Sequence, residues 1–182
     1  TVLFLGRLHP IKGADRLLRA FLAVAEELPE TVLVVAGPDE FGLEAGLRNH
    51  ASSAKLLRRI IFPGMVHGEL KMQLLARADL FCLPSDAEGF SMAVLEALAS
   101  ATAVLLSPGC HFPEVEAAGA GRVAELDPRS LSEALRTLAS DRVRLAEMGK
   151  AALKLVTERY TWESITDRLL EVYAEGLERN RR

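Results

Sequence analysis

Two carboxylates eight residues apart, Glu88 and Glu96, bracket the stretch EGFSMAVLE. A carboxylate accepts two hydrogen bonds at once, which suits a pair of adjacent hydroxyls such as those of a ribose or a hexose. Two cations, Arg7 and Lys12, stand close together in GRLHPIKG. With the free amides of a helix N-terminus, such cations make a site for phosphate. Gly6, Gly37 and Gly89 sit where strands end or a helix begins, and glycines there let backbone come close to a ligand. If one helix begins after Gly89 and carries Glu96, the two glutamates are a little over two turns apart and project from broadly the same side. The same residues also fit a plainer reading. Glu96, bracketed by Val94, Leu95, Ala97 and Leu98, could be a surface position on a half-buried helix. Glu88 could simply favour the helix dipole. Neither G-x-G-x-x-G nor G-x-x-x-x-G-K-[ST] occurs, so loop chemistry alone reaches an unspecified phosphate-bearing ligand.

These residues need a frame that gathers them. Val2-Leu3-Phe4-Leu5, stopped by Gly6, reads as a buried strand. Apolar residues from Leu17 to Leu28 then repeat at helical spacing, and residues 31–36 return to strand character. The alternation continues with a helix over 43–58, a strand over 59–62, a helix over 69–78 and a strand over 80–83. It goes on with the helix after Gly89, a strand over 103–106, a short helix over 113–118 and a strand over 122–124. Strands separated by helices at this interval imply a parallel sheet covered on both faces, a doubly wound, Rossmann-like α/β domain of about six strands. Asp127-Pro128 offers a cap with proline at the first helical position, and a helical C-terminal tail follows over 129–140, 141–158 and 162–178. In such a sheet the ligand crevice lies beyond the carboxyl ends of the strands. That is where the loops carrying Gly6 to Gly13, Gly37 to Glu40, Pro63 to Val66, Pro84 to Gly89 and Ser107 to Cys110 fall.

Composition narrows the partners. The 182 residues carry 22 Lys and Arg against 25 Asp and Glu, a net charge of −3, with the basic residues spread along the chain. That argues against nucleic acid as a partner. The short basic end over 178–182 reads as a fraying helix terminus. No apolar run has the length of a bilayer span, so a soluble, cytoplasmic protein is expected. Cys82 and Cys110 make no disulfide framework, and the four histidines never fall at i and i+4, so no metal site is expected. The chain opens on a core strand without an initiator Met, which suggests a piece of a longer protein.

The ordered set of motifs resembles a known family. Glu88-Gly-Phe-Ser-Met-Ala-Val-Leu-Glu96 is similar to the E-x7-E motif of the large retaining glycosyltransferase family 4, also called group 1, of the GT-B fold. GRLHPIKG resembles that family's glycine-arginine loop with its lysine. VVAGPDE, IIFPGMV, ADLFCLPS, SPGCHFPEV and YTWESI follow in the order and spacing of its second domain. The resemblance covers essentially the whole chain and implies one half of a GT-B enzyme, the C-terminal nucleotide-sugar (donor) domain. It implies that Arg7 and Lys12 contact the donor diphosphate, as the main catalytic aid to its departure, and that Glu96 binds the ribose hydroxyls. Glu88, Gly89, Phe90, Ser91 and Met92 would lie along the transferred sugar and phosphates, and Met65 and Val66 would meet the base through backbone. No metal or other cofactor is implied, and the base, sugar and acceptor stay open.

One departure is visible. Where the family commonly has a glycine and a proline after the second glutamate, this chain reads Ser100-Ala101-Thr102-Ala103. The resemblance also implies an N-terminal acceptor domain outside this chain, without which transfer is expected to be slight. Peripheral membrane association of the full-length protein is compatible with it. Two other readings share the architecture: a non-catalytic nucleotide-binding module and half of a GT-B sugar-nucleotide epimerase. Arg7, Lys12, Glu88 and Glu96 together favour the transferase, because pure binding needs no carboxylate against a sugar.

Overall fold

The computed structural model describes residues 1–179. Six strands form one parallel sheet: β1 Val2–Leu5, β2 Leu33–Ala36, β3 Ile60–Gly64, β4 Leu80–Leu83, β5 Ala103–Leu106 and β6 Gly121–Val123. Their spatial order is β3-β2-β1-β4-β5-β6. Every residue of β1, β2, β4 and β5 is buried. Because side chains alternate between sheet faces, uniform burial requires helices on both. Among the described residues those helices are α1 Ala14–Val24, α2 Leu43–Ser53, α3 Gly68–Arg77, α4 Met92–Ala99, α5 Glu114–Ala117, α6 Pro128–Ala139, α7 Arg142–Arg159 and α8 Trp162–Arg179. α1 packs against α2 and α6, while α4 packs against α3 and α7. The edge strands β3 and β6 are the exceptions that their positions explain, with Ile61, Pro63 and Arg122 exposed.

The order of elements is as the periodicity implies, and the boundaries move. α1 stops at Val24, short of Leu28, because the chain turns at Leu28, whose carbonyl accepts from the Thr31 amide at 3.0 Å. The helix expected to reach Arg58 ends at Ser53, and Leu57–Arg59 forms a separate 3-10 turn. The break is the left-handed turn at Lys55, φ +58°, closed by the Leu56 amide donating to the Ala51 carbonyl at 2.9 Å, and Arg59 follows it. Its guanidinium leaves the surface to donate to the carbonyls of Ala25, Leu28 and Thr31, and it lies 5.4 Å over the Phe21 ring. α6 starts as expected, with the Asp127 carboxylate accepting from the amides of Arg129 at 3.1 Å and Ser130 at 2.9 Å.

The last helix differs in kind. α8 touches the rest of the molecule mainly through α7, and Trp162 is 83% exposed along with Leu170, Val172 and Tyr173. The basic end lies, from Asn180 onward, outside the described residues. No helix among the described residues is long and apolar enough to cross a membrane.

Candidate functional site

The strand order reverses between β1 and β4, and an open parallel sheet forms its ligand crevice at such a switch point. The loop after β1 and the loop after β4 are therefore neighbours there. They are physically joined. The Asp86 amide donates to the Ile11 carbonyl at 2.8 Å, and the buried Ser85 hydroxyl donates to the same carbonyl at 2.9 Å. Gly13 is the hinge of this junction. Its φ of +73° closes the 3-10 turn Pro10–Lys12 and opens α1, and a Cβ there would collide with the Pro84 carbonyl. On the other side, the Gly6 amide donates to Ala36 at 3.0 Å, Leu8 to Pro38 at 2.9 Å and Gly37 to Gly64 at 2.8 Å. The loop after β5 completes the edge, because the Glu88 amide donates to the Gly109 carbonyl at 2.8 Å.

Lys12 and Glu88 meet at the centre of this edge. The Lys12 Nζ lies 2.6 and 2.7 Å from the two oxygens of Glu88. The Glu88 side chain is only 6% exposed and that of Lys12 only 20%. Sequence spacing set Glu88 just before a helix opening after Gly89, a little over two helical turns from Glu96 and on its side, and the structure moves that start. Residues 88–91 form no helix, and α4 begins at Met92 behind the extended N-cap Ser91, whose hydroxyl accepts from Val94. The extended backbone and side-chain cap of Ser91 set the start of α4, and the Glu88 amide is held separately by the Gly109 carbonyl. The two-turn argument for a common face fails with it. The Glu88 side chain is enclosed in its pair with Lys12.

Glu96 does lie on α4, but its side chain is 32% exposed rather than buried among its apolar neighbours, and its Oε1 accepts from Lys71 on α3 at 2.7 Å. Val94, Ala97 and Leu98 take the core side of the helix. Arg7, 55% exposed, does not join Lys12 but pairs with Glu40 at 3.3 Å. Gly89, Phe90 and Met92 are exposed, and the Phe90 ring stands against Phe112 and Tyr160. Met65 is exposed, whereas Val66 is buried, so its side chain serves packing and only its backbone is available. The structure thus brings Gly6, Gly37, Lys12, Glu88 and Ser91 onto one edge, with Arg7 and Glu96 flanking them.

Sequence reasoning passed over several participants. Arg16 donates to Asp86 at 2.8 Å, Lys71 holds Glu96, and the Ser107 hydroxyl donates to the Ser85 carbonyl. None belongs to a short motif; each meets a partner 22 or more residues away. Both cysteines are free and buried, as expected. Burial pushes the Cys110 thiol up against the opposing pull of its Ser107 hydrogen bonds, and it donates to the Leu83 carbonyl at 3.2 Å as a packed neutral group. No cluster of three or more metal-ligating side chains occurs among the described residues.

Comparison with known proteins adds to this geometry. Residues 1–155 match the model of the family described as glycosyl transferases group 1. The chain is 31% identical to a D-inositol 3-phosphate glycosyltransferase of Streptomyces avermitilis, over 99% of this chain and 40% of that protein. It is also 31% identical to a GDP-mannose-dependent monoacylated alpha-(1-6)-phosphatidylinositol monomannoside mannosyltransferase of Corynebacterium glutamicum, over 92% of this chain and 45% of that protein. The chain therefore spans less than half the length of these curated relatives. Among solved structures it superposes on the C-terminal domain of a group 1 family glycosyl transferase, LpcC, from Francisella tularensis, with a TM-score of 0.79 and 24% identity, covering 88% and 86% of the two chains. Anabaena HepE in complex with UDP and glucose gives a TM-score of 0.81 and 22% identity over 96% of this chain and 48% of that one. These structural likenesses establish the shared fold.

Proposed function

Since the chain belongs to the group 1 glycosyltransferase family, we propose that it is the donor-binding half of a retaining, family 4 enzyme of the GT-B fold. It takes a nucleoside diphosphate sugar and presents the sugar to an acceptor held by a separate N-terminal domain. The observation that carries this reading is the convergence of Lys12, Glu88 and the N-terminus of α4 at the β1/β4 switch point, with Arg7 flanking them. The diphosphate lies over the loop after β1, against Arg7, Lys12 and the first amides of α4. Glu96 accepts from the ribose hydroxyls, and the backbone of Met65 and Val66 meets the base. Glu88, Gly89, Phe90, Ser91 and Met92 border the sugar. The names of the relatives, which include a GDP-mannose-dependent enzyme, and the UDP seen in HepE support a nucleotide donor without selecting its base.

In the reaction the bond between the anomeric carbon and the diphosphate oxygen breaks, the acceptor hydroxyl oxygen bonds that carbon on the same face, and the hydroxyl proton passes to the departing diphosphate. Negative charge grows on the departing diphosphate. Fixed cations and helix amides aimed at it lower the barrier without a metal ion. In the unliganded chain Lys12 is held by Glu88 and Arg7 by Glu40. The diphosphate must therefore share or displace those carboxylates.

The test is calorimetric titration with UDP, GDP and ADP, each with and without an attached hexose. One nucleotide should bind saturably. Arg7→Ala and Glu96→Gln, both at accessible positions, should each weaken it by about tenfold or more while leaving the melting curve unchanged. Binding untouched by both replacements would overturn the site assignment.

A further inference from the structure

Lys71 is the residue that the reading above leaves unexplained. It lies in the first turn of α3, directly after the Met65–Val66 turn, with His67 as the helix cap. A cation in that turn is disfavoured by the helix dipole. Its ammonium nevertheless reaches across to α4 and donates to Glu96 Oε1 at 2.7 Å, and both side chains are about one-third exposed, at 29% and 32%. Glu96 Oε2 accepts no hydrogen bond among the described residues, and only one Lys71 donor is used. The pair thus joins the element behind the proposed base turn to the carboxylate proposed for the ribose. It keeps open acceptors and open donors side by side.

We propose that Lys71 is a positioning residue for the ribose of the donor. This rests on the donor-site reading of Glu96. A vicinal diol offers two O–H donors and two oxygen acceptors. The Glu96 carboxylate takes the donors. Lys71 fixes the carboxylate rotamer through Oε1 and leaves Oε2 open to the diol. A charged hydrogen bond held before the ligand arrives spares the ordering cost at binding. An isolated surface ion pair would contribute little to folding, so the same contact predicts a small effect on stability and a larger one on ribose recognition.

Nucleoside diphosphates and inorganic pyrophosphate separate the contributions. Wild type, Lys71→Met, Lys71→Arg, Glu96→Gln and the Lys71→Met/Glu96→Gln double variant are titrated with UDP, GDP, ADP and pyrophosphate, and each variant is checked by thermal melting. We expect Lys71→Met to weaken the nucleotide that binds wild type by about tenfold and leave pyrophosphate unchanged. Lys71→Arg should recover part of the loss, and the double variant should bind like Glu96→Gln alone. Equal losses for nucleotide and pyrophosphate would mean a general charge effect and overturn the proposal. So would wild-type affinity in Lys71→Met, or a fully additive double variant. If none of the three nucleotides binds wild type at millimolar concentration, the donor-site reading itself fails and this inference with it.

Discussion

Lys12 and Glu88 are the most enclosed ion pair at the crevice, and their partnership spans 76 positions of sequence. Each was legible alone as a charged residue on a strand-ending loop. Their contact was not, because nothing local relates the loop after β1 to the loop after β4. The pair also bears on stability. Removing one member of a poorly hydrated pair strands the other charge, at a cost of about 3 kcal/mol. Lys12→Met should therefore lower the urea midpoint markedly. Adding Glu88→Gln should restore much of the loss, because no unpaired carboxylate remains. If the two replacements lower stability additively, the carboxylate is better solvated than its burial suggests. Binding tests of Lys12 need this control, which is why Arg7 and Glu96 are the cleaner probes of ligand contact.

Among the elements, the boundaries that sequence pattern misplaced are those set by one turn or capping residue. The helix expected to reach Arg58 ends five residues earlier at the left-handed turn of Lys55, and beyond it Arg59 turns inward to the carbonyls of Ala25, Leu28 and Thr31. Those carbonyls terminate α1 and lead into β2, so one side chain closes three elements together. Arg59→Met keeps much of the packing over Phe21 and removes every donor. It should cost about 3 kcal/mol by chemical denaturation, since charged hydrogen bonds contribute roughly 1.5–3 kcal/mol and the carbonyls lose their partners. A loss below about 0.5 kcal/mol would mean that water replaces the guanidinium freely. The start of α4 follows the same logic. Ser91, extended and with its hydroxyl accepting from the Val94 amide, is the cap that begins the helix, while the Glu88 amide is tied to Gly109.

Across the whole molecule, α7 docks onto the sheet through the turn that departs from the family pattern. Ala101 adopts φ +56° there, and the buried Thr102 hydroxyl donates to the Leu75 carbonyl at 2.9 Å. Gly149 of α7 sits so close that a Cβ would strike the Ala101 carbonyl. The left-handed conformation costs a non-glycine residue roughly 1–2 kcal/mol, and glycine returns about 0.4–1 kcal/mol of that through the unfolded chain. Ala101→Gly should therefore stabilise by about 0.5–1 kcal/mol, raising the melting temperature by about 2 °C. Gly149→Ala would gain about 1 kcal/mol from helix propensity in an open helix. Here the collision outweighs propensity, and the melting temperature should fall. A rise in Gly149→Ala would show that α7 can move away from the sheet at little cost.

Periodicity and loop composition were enough to order the strands and helices, to place the glycine-rich loops on one sheet edge and to single out Arg7, Lys12, Glu88 and Glu96. These properties are local: a buried strand needs a continuous apolar run, and a cap such as Asp127-Pro128 needs adjacent residues. Which carboxylate meets which cation, where α4 begins, and that Glu88 is enclosed while Glu96 and Lys71 stay accessible depended on the folded chain. Those outcomes follow from the reversal of strand order between β1 and β4, which brings together loops separated by more than 70 residues. Hydrogen bonds and ion pairs between such loops join residues that no local pattern relates.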